Sequence, residues 1–114
     1  MAKYKLRFFF DNLVGVCVWS GNSETFERFD YPIDLNMLPL PGTLIEAGNS
    51  IIKRWERHVY DDHPWPAGDS LATLARDCGA FVAQLRAALS DDFDVCDEHT
   101  DMLLNAAEIE RITF

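Results

Sequence analysis

The stretch YKLRFFFDNLVGVCVWS, residues 4–20, decides the fold, because two β-rich runs, Tyr4–Phe10 and Val14–Ser20, flank the turn formers Asp11-Asn12. A loop of either two or four residues places even positions of the first strand on one face with odd positions of the second. One face then gathers Tyr4, Leu6, Phe8, Phe10, Gly15, Cys17 and Trp19, with no charge among them. The other carries Lys5, Arg7, Phe9, Val14, Val16 and Val18, apolar groups mixed with the stems of two bases. The uncharged face is the one expected to meet a core.

Outward from the hairpin, residues 22–40 combine Phe26, Phe29, Tyr31, Ile33, Leu35, Met37 and Leu38 with prolines at 32, 39 and 41. The prolines prevent a regular helix. The apolar content predicts a short helical turn near Ser23–Phe29, then an extended segment laid across the core. Thr43 and Glu46 have capping-box spacing just after Pro41-Gly42. Ile45, Gly48, Ile52, Trp55 and Val59 then recur at helical spacing, with Glu46, Ser50, Lys53, Arg54 and Arg57 outward, which predicts a helix to about Tyr60. After a loop holding Pro64-Trp65-Pro66, Asp69 or Ser70 caps a second helix with the stripe Leu71, Leu74, Cys78, Phe81, Leu85 and Leu89. Asp92–Cys96 reads as a third strand with Phe93 and Val95 inward. In the tail, Thr100 or Asp101 is placed to cap a short helix through Ala107, and Glu108–Phe114 alternates like a strand. The expected fold is α+β: a small antiparallel-containing sheet, made of the N-terminal hairpin and a C-terminal strand, with two amphipathic helices packed on one face. No repeat, linker or low-complexity tract interrupts residues 1–114, so a single domain is expected.

At 114 residues and 48% hydrophobic, the composition is that of a globular chain able to bury a core. Cys17, Cys78 and Cys96 are an odd number without metal-site spacing and read as buried small hydrophobes in a reducing compartment. No signal peptide or membrane span is visible, so the expected location is cytoplasmic. The net charge of −9 arises wholly in the second half. Residues 1–60 hold seven acids and seven bases, whereas residues 61–114 hold twelve acids against Arg76, Arg86 and Arg111. Asp91, Asp92, Asp94, Asp97, Glu98 and Asp101 fall in one eleven-residue run that has no Lys or Arg. Such a potential steers a basic partner and repels nucleic acid and anionic membrane.

Two clusters have the residue types for chemistry. His58, Asp61, Asp62 and His63 are ligand types for a divalent metal, although Asp and His also suit a helix end without any metal. Asp97, Glu98, His99 and Asp101 have the groups for acid–base work only if they share a pocket, and neighbouring strand residues point to opposite faces. Cys17 and Cys78 lie on apolar faces where thiols stay neutral, and no Gly-rich phosphate loop is present. Neither an enzyme nor a cofactor is therefore expected. Trp65, between two prolines, is either an exposed anchor or a plug between the helices.

The residues Leu6-Arg-Phe-Phe-Phe-Asp11, Gly15-Val-Cys-Val-Trp19, Tyr31-Pro-Ile-Asp-Leu35, Leu38-Pro-Leu40, Pro64-Trp65 and Phe93-Asp-Val95 resemble, in this order, a group of short bacterial proteins without an established activity. In size, charge and lack of a catalytic motif the chain also resembles immunity proteins of contact-dependent and other polymorphic toxin systems. That resemblance implies a stoichiometric inhibitor of a basic, nuclease-type toxin domain. The expected partner-binding residues are Asp91, Asp92, Asp94, Asp97, Glu98 and Asp101, followed by Asp61, Asp62 and Trp65. The alternatives are a metal-binding protein or enzyme using the His58–His63 cluster, and an adaptor subunit of a larger assembly.

Overall fold

A computed structural model describes residues 3–10, 15–60 and 70–100, with the side chains of residues 58–60 outside the description. The hairpin turn at Asp11-Asn12, the Pro64-Trp65-Pro66 loop and the tail from Asp101 therefore lie outside the described residues. The elements run β1 (Tyr4–Phe8), β2 (Val18–Ser20), α1 (Ser23–Phe29), β3 (Pro32–Ile33), a 3-10 turn (Leu35–Met37), α2 (Gly42–Tyr60), α3 (Leu71–Ala88) and β4 (Phe93–Asp97). This is a small α+β fold with a mixed, open four-stranded sheet in the order β3-β2-β1-β4. β2 pairs antiparallel with both β1 and β3, while β4 pairs parallel with β1. A parallel neighbour needs a crossover, and the α2–α3 helix pair carries the chain from one side of the sheet to the other. No helix among the described residues is long and apolar enough to cross a membrane.

The strand register corrects the expected hairpin faces. Leu6 lies opposite Ser20, Arg7 opposite Trp19 and Phe8 opposite Val18, and the Phe9 N–H donates to the Cys17 carbonyl. Paired positions therefore share parity, as they do when an odd number of residues separates them. Val18 and Ser20 join Leu6 and Phe8 on the buried face, while Trp19 joins Arg7 on the other. Trp19 is nonetheless only 3% exposed. The Phe9 ring stacks on it at 4.8 Å, the Tyr31 ring tilts against it at 5.1 Å, and its Nε1–H donates to the Phe9 carbonyl at 3.0 Å. The mixed face of the sheet thus has an aromatic layer of its own.

Local chemistry sets the helix bounds. In α1 the Asn22 side chain caps the Thr25 N–H. The 3-10 turn is capped in the same way by Asp34, whose carboxylate accepts the Asn36 N–H. α2 begins at Gly42, where the Pro41 carbonyl accepts the Leu44 and Ile45 N–H groups at 3.0 and 3.2 Å. Thr43 lies inside the first turn, so the capping box does not set the start. Ser70 caps α3 by accepting the Thr73 N–H, one of the two residues expected to do so. All six members of the α3 stripe are buried.

One continuous core takes side chains from β1, β2, α1, β3, α2, α3 and β4. α2 meets α3 closely at Gly48, where an added Cβ would stand 2.8 Å from Phe81 Cζ and 2.4 Å from Leu35 Cδ1. Leu44 and Ile51 widen the buried face of α2 beyond the expected stripe. Arg54, expected to face outward, instead bonds Asp77 of α3 at 2.7 Å. Of the apolar residues in 26–38, Phe29, Ile33, Leu35 and Leu38 are buried. Phe26, Tyr31 and Met37 are exposed, so the segment does not lie wholly across the core.

Candidate functional site

The acidic run is laid out along β4, an edge strand of the sheet. α3 ends at Leu89, and the Phe93 N–H bonds the Ser90 carbonyl at 3.0 Å, which makes Asp91 and Asp92 the middle of a tight turn. Both are exposed, as is Asp94 on the strand. None of the three makes an ion pair among the described residues. Asp94 lies opposite Lys5 in the parallel register, with Cys96 opposite Arg7.

At the other end of β4 the carboxylates are engaged within the protein. Glu98 receives two bonds from Arg7, at 2.5 and 2.9 Å, and this guanidinium holds its carboxyl below the usual range. The same contact raises the Arg7 pKa further. Asp97 Oδ1 accepts the His99 and Thr100 N–H groups at 3.1 and 2.9 Å, so Asp97 caps the turn that follows the strand. At about 3.3 Å per residue, Asp94 and Asp97 stand about 10 Å apart along the strand. The run therefore forms two separate groups: an exposed one at Asp91, Asp92 and Asp94, and an internally bonded one at Asp97 and Glu98. Asp101, Asp61, Asp62 and Trp65 lie outside the described residues.

The His99 ring packs among aromatic side chains, against Phe10 at 4.7 Å and Trp55 at 6.0 Å, both edge-on, and its Nδ1 accepts the Phe10 N–H at 3.5 Å. Burial lowers its pKa, and the nearby Asp97 charge opposes that shift. Of the other cluster only the backbone of His58 is described; Asp61, Asp62 and His63 lie outside. Among the described residues no group of three or more metal-ligating side chains gathers. Burial pushes the Cys17 and Cys78 thiols up to about 12, while Cys96, expected to be buried, is exposed.

A second surface runs along the β3 side of the sheet, and no local motif marks it in the sequence. Phe26, Tyr31 and Met37, at 53, 42 and 47% exposure, are interspersed in the sequence with the exposed acids Glu24, Glu27, Asp30 and Asp34. The only base in this segment, Arg28, is also exposed, its guanidinium bonding the Tyr4 hydroxyl at 2.8 Å and lying over the Tyr4 ring. Asp30 ends α1 at φ 65° and ψ −173°. Its N–H bonds the Phe26 carbonyl, its own carbonyl accepts the Ser20 hydroxyl, and the next carbonyl, Tyr31, accepts the Ser20 N–H. An acidic or Asn neighbour does not mark the exposed residues, since buried Phe29, Ile33 and Leu35 also have one, at Asp30, Asp34 and Asn36. No protein-family model matches the chain, and neither a curated protein nor a solved structure matches it significantly.

Proposed function

We propose that the chain is a stoichiometric protein inhibitor of the immunity type, which blocks a basic, nuclease-type toxin domain through its acidic surface. The observation that supports this most is the exposed trio Asp91, Asp92 and Asp94, displayed at the start of an edge strand without ion-pair partners among the described residues. In this reading the carboxylates take the place of substrate phosphates as partners for Lys and Arg. The overall charge of −9 speeds encounter and makes association sensitive to salt. Glu98 and Asp97 serve the fold through Arg7 and the following turn, which leaves Asp61, Asp62, Trp65 and Asp101 as the remaining contact residues proposed.

The test is affinity capture of the tagged full chain from its own cells at low and high salt, run beside the D91K/D92K/D94K variant. A basic nuclease should be retained one-to-one at low salt, lose its activity in the complex, and bind the variant at least about tenfold more weakly. The variant should keep the circular dichroism spectrum of the parent, since all three side chains are exposed. Unchanged affinity after the reversal would sink this role for the acidic turn. A partner equally retained at both salts would favour a constitutive adaptor subunit instead.

A further inference from the structure

We propose that the free edge of β4 is a strand-pairing surface for a second copy of the chain, and that Arg86 holds this edge closed. β4 ends the strand order, with no strand beyond it among the described residues. The Asp92 carbonyl accepts the Tyr4 N–H, and the Glu98 N–H donates to the Phe8 carbonyl. The even residues of β4 thus turn their main chain to β1, while Phe93, Val95 and Asp97 turn theirs outward. A row of outward main-chain groups is a template for another strand. The Phe93 N–H is already held by the Ser90 carbonyl at 3.0 Å. The Val95 and Asp97 N–H groups have no partner among the described residues.

Arg86 reaches this row from the last turn of α3. Its Nε–H and Nη2–H both donate to the Val95 carbonyl, at 3.2 and 2.9 Å. Val95 is the middle residue of the strand, so the guanidinium covers the central acceptor of the edge. A guanidinium only donates, and it offers nothing to the N–H groups of an incoming strand. The choice of Val95 matters because of the contact that the sequence of β4 allows. A two-fold antiparallel pairing centred there sets Val95 against Val95, Asp94 against Cys96 and Phe93 against Asp97. No two acids within the strand then stand directly opposite, so cross-strand charge does not forbid the contact. Its central bonds run from each Val95 N–H to the Val95 carbonyl of the other copy. That carbonyl is the atom Arg86 occupies.

The test follows the mass of the full chain by sedimentation equilibrium under reducing conditions, with amide exchange of β4 as the second readout. The parent should be a monomer in which the Val95 and Asp97 amides exchange faster than those of Asp94 and Cys96. R86M keeps the aliphatic stem but cannot donate. It should dimerise reversibly, and the Val95 and Asp97 amides should slow as it does. Cys96 is exposed and can be changed without touching the core. Within R86M, C96D places an acid opposite Asp94 in both symmetric pairs and should weaken the dimer by about threefold or more. C96K should strengthen it by a similar factor. In the presence of Arg86, C96K alone should leave the chain monomeric, a reading that holds even if R86M does not fold. A folded R86M that is still monomeric at about 1 mM would overturn the inference. So would a dimer indifferent to the charge at residue 96, a dimer formed by C96K alone, or a parent already paired through β4.

Discussion

Thr25 shows how one buried hydroxyl joins a helix to a strand. β2 stops at Ser20, so the Lys5 N–H at the end of β1 has no strand partner. Thr25 Oγ1 accepts it at 2.9 Å and in turn donates to Asn22 Oδ1 at 2.5 Å, while the residue is wholly buried. Thr25→Val keeps the shape but removes the acceptor, leaving Lys5 N–H only a long 3.4 Å contact to Asn22. Leaving a buried donor without a good partner costs about 1–3 kcal/mol. Urea unfolding should show T25V destabilised by that amount, with the slope unchanged and T25S close to the parent. A T25V midpoint equal to the parent's would mean that the bond contributes nothing. The helical turn near Ser23–Phe29 was legible from the apolar content of the segment. The role of Thr25 was not, because its partner lies twenty residues away and is a backbone group.

At the scale of elements, legibility follows how locally each one is specified. The α3 stripe is written at helical spacing and its cap is a single serine, and both survive folding unchanged. β4 was likewise readable, with Val95 buried and Phe93 against Tyr4 at 5.1 Å. The hairpin faces were not, because the parity of the β1–β2 register reverses the outcome and the turn residues do not fix it. Gly48 was read only as one member of the α2 stripe, yet it is where the helices approach. Exchanging a helical glycine for alanine ordinarily stabilises by about 0.5–1 kcal/mol. Here the new methyl meets Leu35 and Phe81, both themselves buried, and overpacking costs about 1–3 kcal/mol. Gly48→Ala should therefore destabilise by about 1 kcal/mol in chemical unfolding, the opposite sign to propensity. A stabilised variant would show that Leu35 can move aside without loss.

Over the whole molecule, halves of the sequence are not halves of the surface. The acidic second half returns through β4 to lie parallel to β1, which carries Lys5 and Arg7, two of the seven bases of the first half. Lys5 comes opposite Asp94 and Arg7 binds Glu98, so part of the apparent charge separation cancels across one strand pair. A charge run can be read from composition, whereas its neighbours depend on a pairing ninety residues apart. His99 closes the same region by joining three elements, since it follows β4, accepts a bond from Phe10 after β1 and packs on Trp55 of α2. A backbone N–H pointing at Nδ1 requires the neutral ring. Burial sets its folded pKa below the ordinary 6.5, with Asp97 as the opposing charge. Between those two values the unfolded chain binds more protons, so stability falls as the pH falls. The contribution of His99 is complete above about pH 6.5 and is lost as the pH drops through the lowered folded value. The Glu98 contribution, with its pKa held below 4.5 by Arg7, fades only in a separate and more acidic window. Thermal melts of the parent should thus decline on acidification from pH 7, ahead of the Glu98 window. His99→Asn keeps an acceptor near Nδ1 without the titration, and should be less stable at pH 7 yet flat down to about pH 5. If H99N declined as the parent does, the acid sensitivity would belong to other groups, and His99 would not be the residue that couples the strand ends to α2.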